Sequence, residues 1–289
     1  MKITHQNLKV NGINLHLVES GPAGGELVIL LHGFPEFWYG WRWQITGLAE
    51  VGFHVVIPDQ RGYALSDKPG SVSQYRVDCL AADVTGLIDA YGREQACIAG
   101  HDWGAAVAWE TALVYPGRVK KLAILNVPHP DVMRRFLRTN LRQMLMSWYI
   151  FFFQIPGLPE WALRRQGYTS LLRLLSAIRG PATFSEGDLQ AYVQAWDQPG
   201  ALTAMINWYR AAFRSGMQVP FRSGVASARH ILPPTLIIWG KKDVALSSAM
   251  AEPSLQLCDQ GRLIFFEDAT HWVQYDKASE VTHDLVSFF

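Results

Sequence analysis

The sequence predicts an α/β fold: a mostly parallel sheet with helices on both faces, interrupted by an insertion made of helices alone. Three observations carry that expectation. Short continuous apolar runs such as LVILL, FHVVIP and TLIIWG alternate with longer segments of helical period, the pattern of strands covered on both faces and of their crossover helices. The alternation lapses over residues 131–219 and then returns. A glycine-flanked aspartate, in GHDWGA, stands where one of the strands turns into a helix.

The elements follow in order. Residues 8–10 and 15–19 flank Asn11-Gly12, a dipeptide that favours a hairpin turn. Residues 27–31 read as a buried strand, 41–51 as a helix and 53–58 as the next strand. Residues 75–91 place Leu80, Val84, Leu87, Ile88 and Tyr91 at helical spacing, with Gly92 as a stop. ACIAG is a strand, residues 105–115 a helix and VKKLAILN a strand. Residues 131–219 read as helices only, rich in aromatics and arginines. Such an insertion is expected to form a lid over the carboxyl ends of the strands, where open α/β sheets bind ligands. TLIIWG, RLIFFE and a helix running to Phe289 complete the chain. The expected division is a core of residues 1–130 and 220–289 and a cap of residues 131–219.

Composition narrows the function classes. With 49% hydrophobic and 18% charged residues, the chain has a large core and is not disordered. A net charge of +1 gives no sign of a nucleic-acid partner. Cys79, Cys97 and Cys258 are scattered and odd in number, which argues against a disulfide framework or a zinc site and fits a reducing compartment. The opening MKITHQNLKVNG lacks the apolar core of a signal peptide, so a cytoplasmic location is expected. The most apolar run, WYIFFF at residues 148–153, falls short of the ~18 residues of a membrane span. It is expected in the core or a pocket wall, with a membrane-surface patch as the alternative. Arg134, Arg138 and Arg142 lie four apart, which predicts one solvated helix face; an anionic-ligand or partner surface is the alternative.

The chemistry centres on Gly100-His101-Asp102-Trp103-Gly104. A strand, a tight glycine turn and a helix form a nucleophile elbow that holds its central side chain exposed above the sheet. A serine there would attack an acyl carbon. An aspartate attacking a saturated carbon forms an ester, which water can open at the aspartate's own carbonyl, regenerating the enzyme. Asp102 therefore argues for displacement at an alkyl carbon, with epoxides and alkyl halides as candidate substrates. The second step needs a base and its orienting acid. In this architecture they follow the nucleophile in the order acid, then histidine. Asp243, just past TLIIWG, and His271, after RLIFFE, occupy those places, with Asp268 a rival for the acid role. The backbone N–H groups of Trp103 and Phe34 are the expected oxyanion hole. His101 is expected to point away from the Asp102 side chain.

HGFPEFWYGWRWQ, DQRGYALSDKP, GHDWGA, WGKKD and ATHW, in this order, resemble the epoxide hydrolases of the α/β-hydrolase fold over nearly the whole chain. The resemblance implies a mostly parallel eight-stranded sheet with an all-helical lid, no cofactor and no metal. The expected partners are a small-molecule epoxide and water, with no nucleic acid and no membrane span, and a homodimer is admitted. It also implies two lid tyrosines that hold and protonate the epoxide oxygen. Their matching positions are Tyr149, in WYIFFFQIPG, and Tyr209, in INWYR. Trp103, Phe34, Trp148 and Phe152 are the expected substrate contacts, and the lid aromatics, among them Phe151, Trp196, Trp208 and Phe213, suggest a bulky epoxide. The related haloalkane dehalogenases place a tryptophan at the Trp103 position, so the two tyrosines must separate the activities. A dehalogenase, a non-catalytic small-molecule binder and an esterase stay open at this point.

Overall fold

The hairpin expected at Asn11-Gly12 forms: both residues have positive φ, 46° and 80°, and they join antiparallel β1 (Thr4–Val10) and β2 (Ile13–Ser20). In this computed structural model, residues 2–178, 184–218 and 229–289 are described. β3 (Leu27–Leu31), α1 (Arg42–Glu50), β4 (His54–Pro58), α2 (Val77–Ala90), β5 (Ala96–His101), α3 (Trp103–Val114) and β6 (Val119–Leu125) then alternate. α2 stops where Gly92 adopts φ 64°. The Gly92 and Arg93 N–H groups there donate back to the carbonyls of Asp89 and Ile88, a Schellman closure.

Among the described residues, six helices follow before the sheet resumes: α4 (Pro130–Thr139), α5 (Leu141–Met146), α6 (Trp148–Phe152), α7 (Leu158–Ile178), α8 (Glu186–Trp196) and α9 (Ala201–Gln218). α7 is interrupted by non-helical backbone at Arg165–Tyr168. β7 (Thr235–Gly240), α10 (Ala251–Leu255), β8 (Gly261–Phe266), α11 (Val273–Asp276) and α12 (Ala278–Phe288) return to the sheet and its flank. The expected cap boundary at residues 219 and 220 lies outside the described residues.

The eight strands order as β1-β2-β4-β3-β5-β6-β7-β8, antiparallel at β1–β2 and β2–β4 and parallel elsewhere. Leu27, Ile29 and Leu31 of β3 pack into one apolar layer, and Val28 and Leu30 into the layer on the opposite face. Burial on both faces is why the parallel strands read as unbroken apolar runs. The register brings Leu31 of β3 and Ile124 of β6 level with Gly100 of β5, and Leu125 level with His101 and Ile238. The carboxyl ends of β3, β5, β6 and β7 therefore open on one edge, and the helical insertion leaves the chain at that edge.

Two expectations about the insertion need correction. Arg142 does not share a helix face with Arg134 and Arg138. The helix breaks at Asn140 (φ −118°, ψ 102°), whose side chain accepts the Gln143 N–H and starts α5. Asparagine competes for local backbone donors in this way, and four-residue spacing does not reveal it. The run WYIFFF is not uniformly interior either: Phe153 is buried, but Trp148 and Phe151 are 64% and 63% exposed. Trp196 and Trp208 are fully buried ties to the sheet's loops. Their indole N–H groups donate to Pro35 O (2.6 Å) and Arg61 O (2.9 Å). Among the described residues, no helix is long and apolar enough to cross a membrane.

Candidate active site

Asp102 sits at the β5–α3 junction with φ 50° and ψ −124°, a conformation that costs a non-glycine residue about 1–3 kcal/mol. Its neighbours leave the turn room. A Cβ on Gly104 would strike the carbonyls of Leu31 and His32, and one on Gly33 would strike the Asp102 side chain itself. The glycines thus bring the loop after β3 against the apex of the elbow. That loop, which contains the cis Phe34–Pro35 peptide, presents the Phe34 N–H, which donates to Asp102 Oδ1 at 2.7 Å. The Trp103 N–H opens α3, where no carbonyl of the helix can reach it.

The second carboxylate oxygen faces the histidine. His271 Nε2 lies 3.5 Å from Asp102 Oδ2, and its Nδ1 lies 2.8 Å from Asp243 Oδ2. Asp243 is held on all sides. Its Oδ1 accepts the Ala245 and Leu246 N–H groups at 2.7 and 2.8 Å, and its Oδ2 accepts from Asn126 Nδ2 at 2.7 Å. Asp268, the rival acid, is instead at the surface and paired with Lys277 at 2.7 Å.

Burial works against ionising Asp102, but His271, His101 and the Phe34 N–H together hold its carboxyl below the usual range. Burial likewise works against protonating His271. The Asp243 charge, the hydrogen bond with Asp102 and the Asp102 charge overcome it and raise the imidazole well above its ordinary value. Asp102 and His271 thus form an ion pair, each stabilising the charge of the other.

Across Asp102 stand two phenols from the helical insertion. The Tyr149 and Tyr209 rings meet at 5.8 Å, and Tyr209 packs edge-on against Phe34 (5.4 Å) and Trp103 (5.0 Å). Burial first, then the charge of Asp102, raises both phenols above their ordinary value, so both keep their protons. Among the described residues the Tyr149 hydroxyl has no hydrogen bond.

Of the expected substrate contacts, Phe34 and Trp103 border this space, and Phe152 lies one ring away, beside Phe153 at 5.9 Å. Trp148 does not border it. It stands 64% exposed because successive helix residues point about 100° apart, and Tyr149 is the one turned inward. The ring that touches Tyr149, Tyr209 and Phe34 together is Phe153, which sequence reasoning did not single out.

Other supporting groups were also missed. Asn126 closes β6 with φ 57° and bonds Asp243; its place as the polar end of VKKLAILN was the available signal. His101 does point away from Asp102. Its Nε2–H donates to the His271 carbonyl at 2.8 Å, and its Nδ1 lies 3.0 Å from the Gln274 amide nitrogen and 3.2 Å from Glu36 Oε2. Behind it, buried Glu36 accepts from Gln274 (3.2 Å), Tyr192 (3.1 Å) and Tyr275. Tyr63 is a buried phenol whose hydroxyl has no partner among the described residues. Its ring packs on His32 (4.7 Å) and Trp208 (5.3 Å).

Comparison with known proteins identifies the family of the fold. The sequence profile described as "alpha/beta hydrolase fold" matches residues 26–278. The AB hydrolase superfamily protein YfhM of Bacillus subtilis is 42% identical over 98% of this chain and 96% of its own length. Human epoxide hydrolase 4 is 35% identical over 97% of this chain and 77% of its own. The crystal structure of Bacillus megaterium epoxide hydrolase in complex with an inhibitor superposes with a TM-score of 0.87 at 31% identity, covering 98% and 99% of the two chains.

Proposed function

The chain belongs to the epoxide hydrolases of the α/β-hydrolase fold, and we propose that it adds water to an epoxide through an ester on Asp102, giving a vicinal diol. The observation that carries the scheme is the division of labour between the two Asp102 oxygens. Oδ1 is engaged by the Phe34 N–H and Oδ2 faces His271. Oδ2 is the attacking atom. It bonds to a ring carbon, the carbon–oxygen bond of the epoxide breaks, and the departing alkoxide takes a proton from Tyr149 or Tyr209. Oδ1 becomes the ester carbonyl oxygen, already seated on the Phe34 N–H, with the Trp103 N–H as second donor.

Ester formation removes the charge of Asp102. One of the two carboxylates that raise His271 is then gone, and the imidazolium gives up its proton, which restores the phenolate left on Tyr149 or Tyr209 to a phenol. Neutral His271, oriented and charge-stabilised by Asp243, takes a proton from water. The hydroxide attacks the ester carbonyl carbon, and the tetrahedral oxyanion forms at the Phe34 and Trp103 N–H groups. The diol leaves with its new oxygen drawn from Asp102, and the solvent oxygen stays in the carboxylate. The two phenols favour epoxide over alkyl halide as substrate, because only an alkoxide leaving group needs a proton.

In this reading residues 131–219 serve as the cap, and Phe34, Trp103, Phe153 and Tyr209 give an aromatic wall suited to an apolar, bulky epoxide. Three free thiols support a reducing, cytoplasmic setting. The test is a single turnover of a styrene-type epoxide in heavy-oxygen water. The label should enter Asp102 and be absent from the first diol, and Asp102→Ala should form no diol. Heavy oxygen in the first diol, with none in the protein, rules out the ester.

A further inference from the structure

The outer face of the cap is built inside out. On α5 the Gln143 side chain faces the protein, while Arg142 stays exposed. Gln143 is fully buried, its amide N–H donating to Ser147 Oγ (3.1 Å) and Ala245 O (3.0 Å) while its carbonyl accepts the Ser247 N–H (3.0 Å). Anchored there, the helix turns its leucines outward. Leu141 and Leu145 are 76% and 74% exposed, and Trp148 and Phe151 of α6, Ile155 in the following turn and Trp161 at the start of α7 are exposed as well. Half of the large apolar side chains exposed among the described residues fall within residues 141–161. A water-facing helix has the opposite polarity, and an apolar patch this concentrated marks a contact surface.

Charge indicates the occupant. Residues 131–165 hold six arginines and two carboxylates, in a chain whose total charge is only +1. Both carboxylates are already engaged, Asp131 with Arg134 and Glu160 with buried Arg210 (2.7 Å). All six arginines are exposed, and the Arg165 guanidinium lies 5.3 Å over the Trp161 ring, a pairing of aromatic body and cationic head suited to a lipid–water boundary. An apolar stripe of leucine, tryptophan and phenylalanine bordered by arginine is the composition of an interfacial anchor on anionic lipid. A second copy of this chain would bring the same cationic border against itself.

We propose that the outer face of α5, α6 and the start of α7 docks on an anionic bilayer surface, with Leu141, Leu145, Trp148 and Phe151 entering the boundary region and the arginines meeting lipid phosphates and carboxylates. Because α6 also carries Tyr149 on its inner side, docking sets the cap directly between membrane and nucleophile. Delivery of lipid-dissolved epoxides is a consequence that rests on the proposed activity; the docking itself does not.

Co-sedimentation of the full chain with vesicles tests it. The protein should pellet with phosphatidylcholine vesicles containing about one-third phosphatidylserine, and several-fold less with phosphatidylcholine alone or at high salt. The Leu145→Ser/Phe151→Ser variant should bind about tenfold more weakly or worse while still turning over epoxide. Arg138→Glu/Arg142→Glu should lose about tenfold or more on anionic vesicles only. Wild-type protein that stays in the supernatant, or binding that neither variant changes, overturns the proposal. So does a solution dimer, seen by analytical ultracentrifugation, that Phe151→Ser splits, because the face then belongs to a second copy.

Discussion

The two halves of the proposed site are held in opposite ways. On the sheet side every charged group is fixed by hydrogen bonds at strand ends. Asp243 accepts two backbone N–H groups besides Asn126 and His271, and Asp102 accepts from Phe34. On the cap side the two phenols are placed by ring packing against Phe34, Trp103 and Phe153. Charges that must act in a buried place need satisfied partners, or the cost of burying them outweighs their use. A proton donor needs its hydroxyl proton left for the substrate, and ring packing leaves it free, as does the Trp103 side chain, which donates to the Tyr209 oxygen rather than accepting from it.

That contrast predicts graded losses. The largest separates the two steps: His271→Gln should lower turnover by about a thousandfold or more, while ester formation still proceeds. Intact-protein mass spectrometry after mixing with excess epoxide should show a persistent alkyl adduct. A turnover loss without adduct would mean that the histidine serves the first step instead.

On the cap side, Tyr149→Phe or Tyr209→Phe should each slow ester formation by about a hundredfold, and the pair by more. The rate of ester hydrolysis should stay within a few-fold. Stopped-flow tryptophan fluorescence resolves the two phases. If either variant slows hydrolysis as much as alkylation, the separation of labour between sheet and cap fails.

The smallest effect probes the sheet's scaffolding. Asn126→Ala removes one of the two side-chain donors to Asp243 Oδ2 and should cost about 1–2 kcal/mol, roughly a tenfold drop in the hydrolysis rate alone. An equal drop in alkylation would assign Asn126 to the shape of the whole site rather than to the acid.

The strands, the turn at Asp102 and the placing of Asp102, Asp243 and His271 just past strand ends were legible because their signals are local. Burial on both faces leaves unbroken apolar runs. The turn at Asp102 needs glycine at Gly104, and the loop that meets it needs glycine at Gly33. The strand ends sit at one edge once the sheet is parallel. Tyr149 and Tyr209 were legible only through family resemblance, since nothing in helical period distinguishes an inward phenol from a packed one. The break at Asn140 and the outward Trp148 escaped because a four-residue spacing looks the same across two short helices as along one.

By itself the sequence determined the sheet, the helical insertion and which side chains stand at strand ends, because periodicity and turn chemistry act over a few residues. Only the tertiary structure decided that Asn126, Phe153 and the Glu36–Gln274–His101 group support the site. It also decided that α5 buries its glutamine and exposes its leucines. Those outcomes depend on which distant donors and acceptors meet, such as Gln143 with Ala245 and Ser247, and a buried polar group must follow its partner wherever the fold puts it.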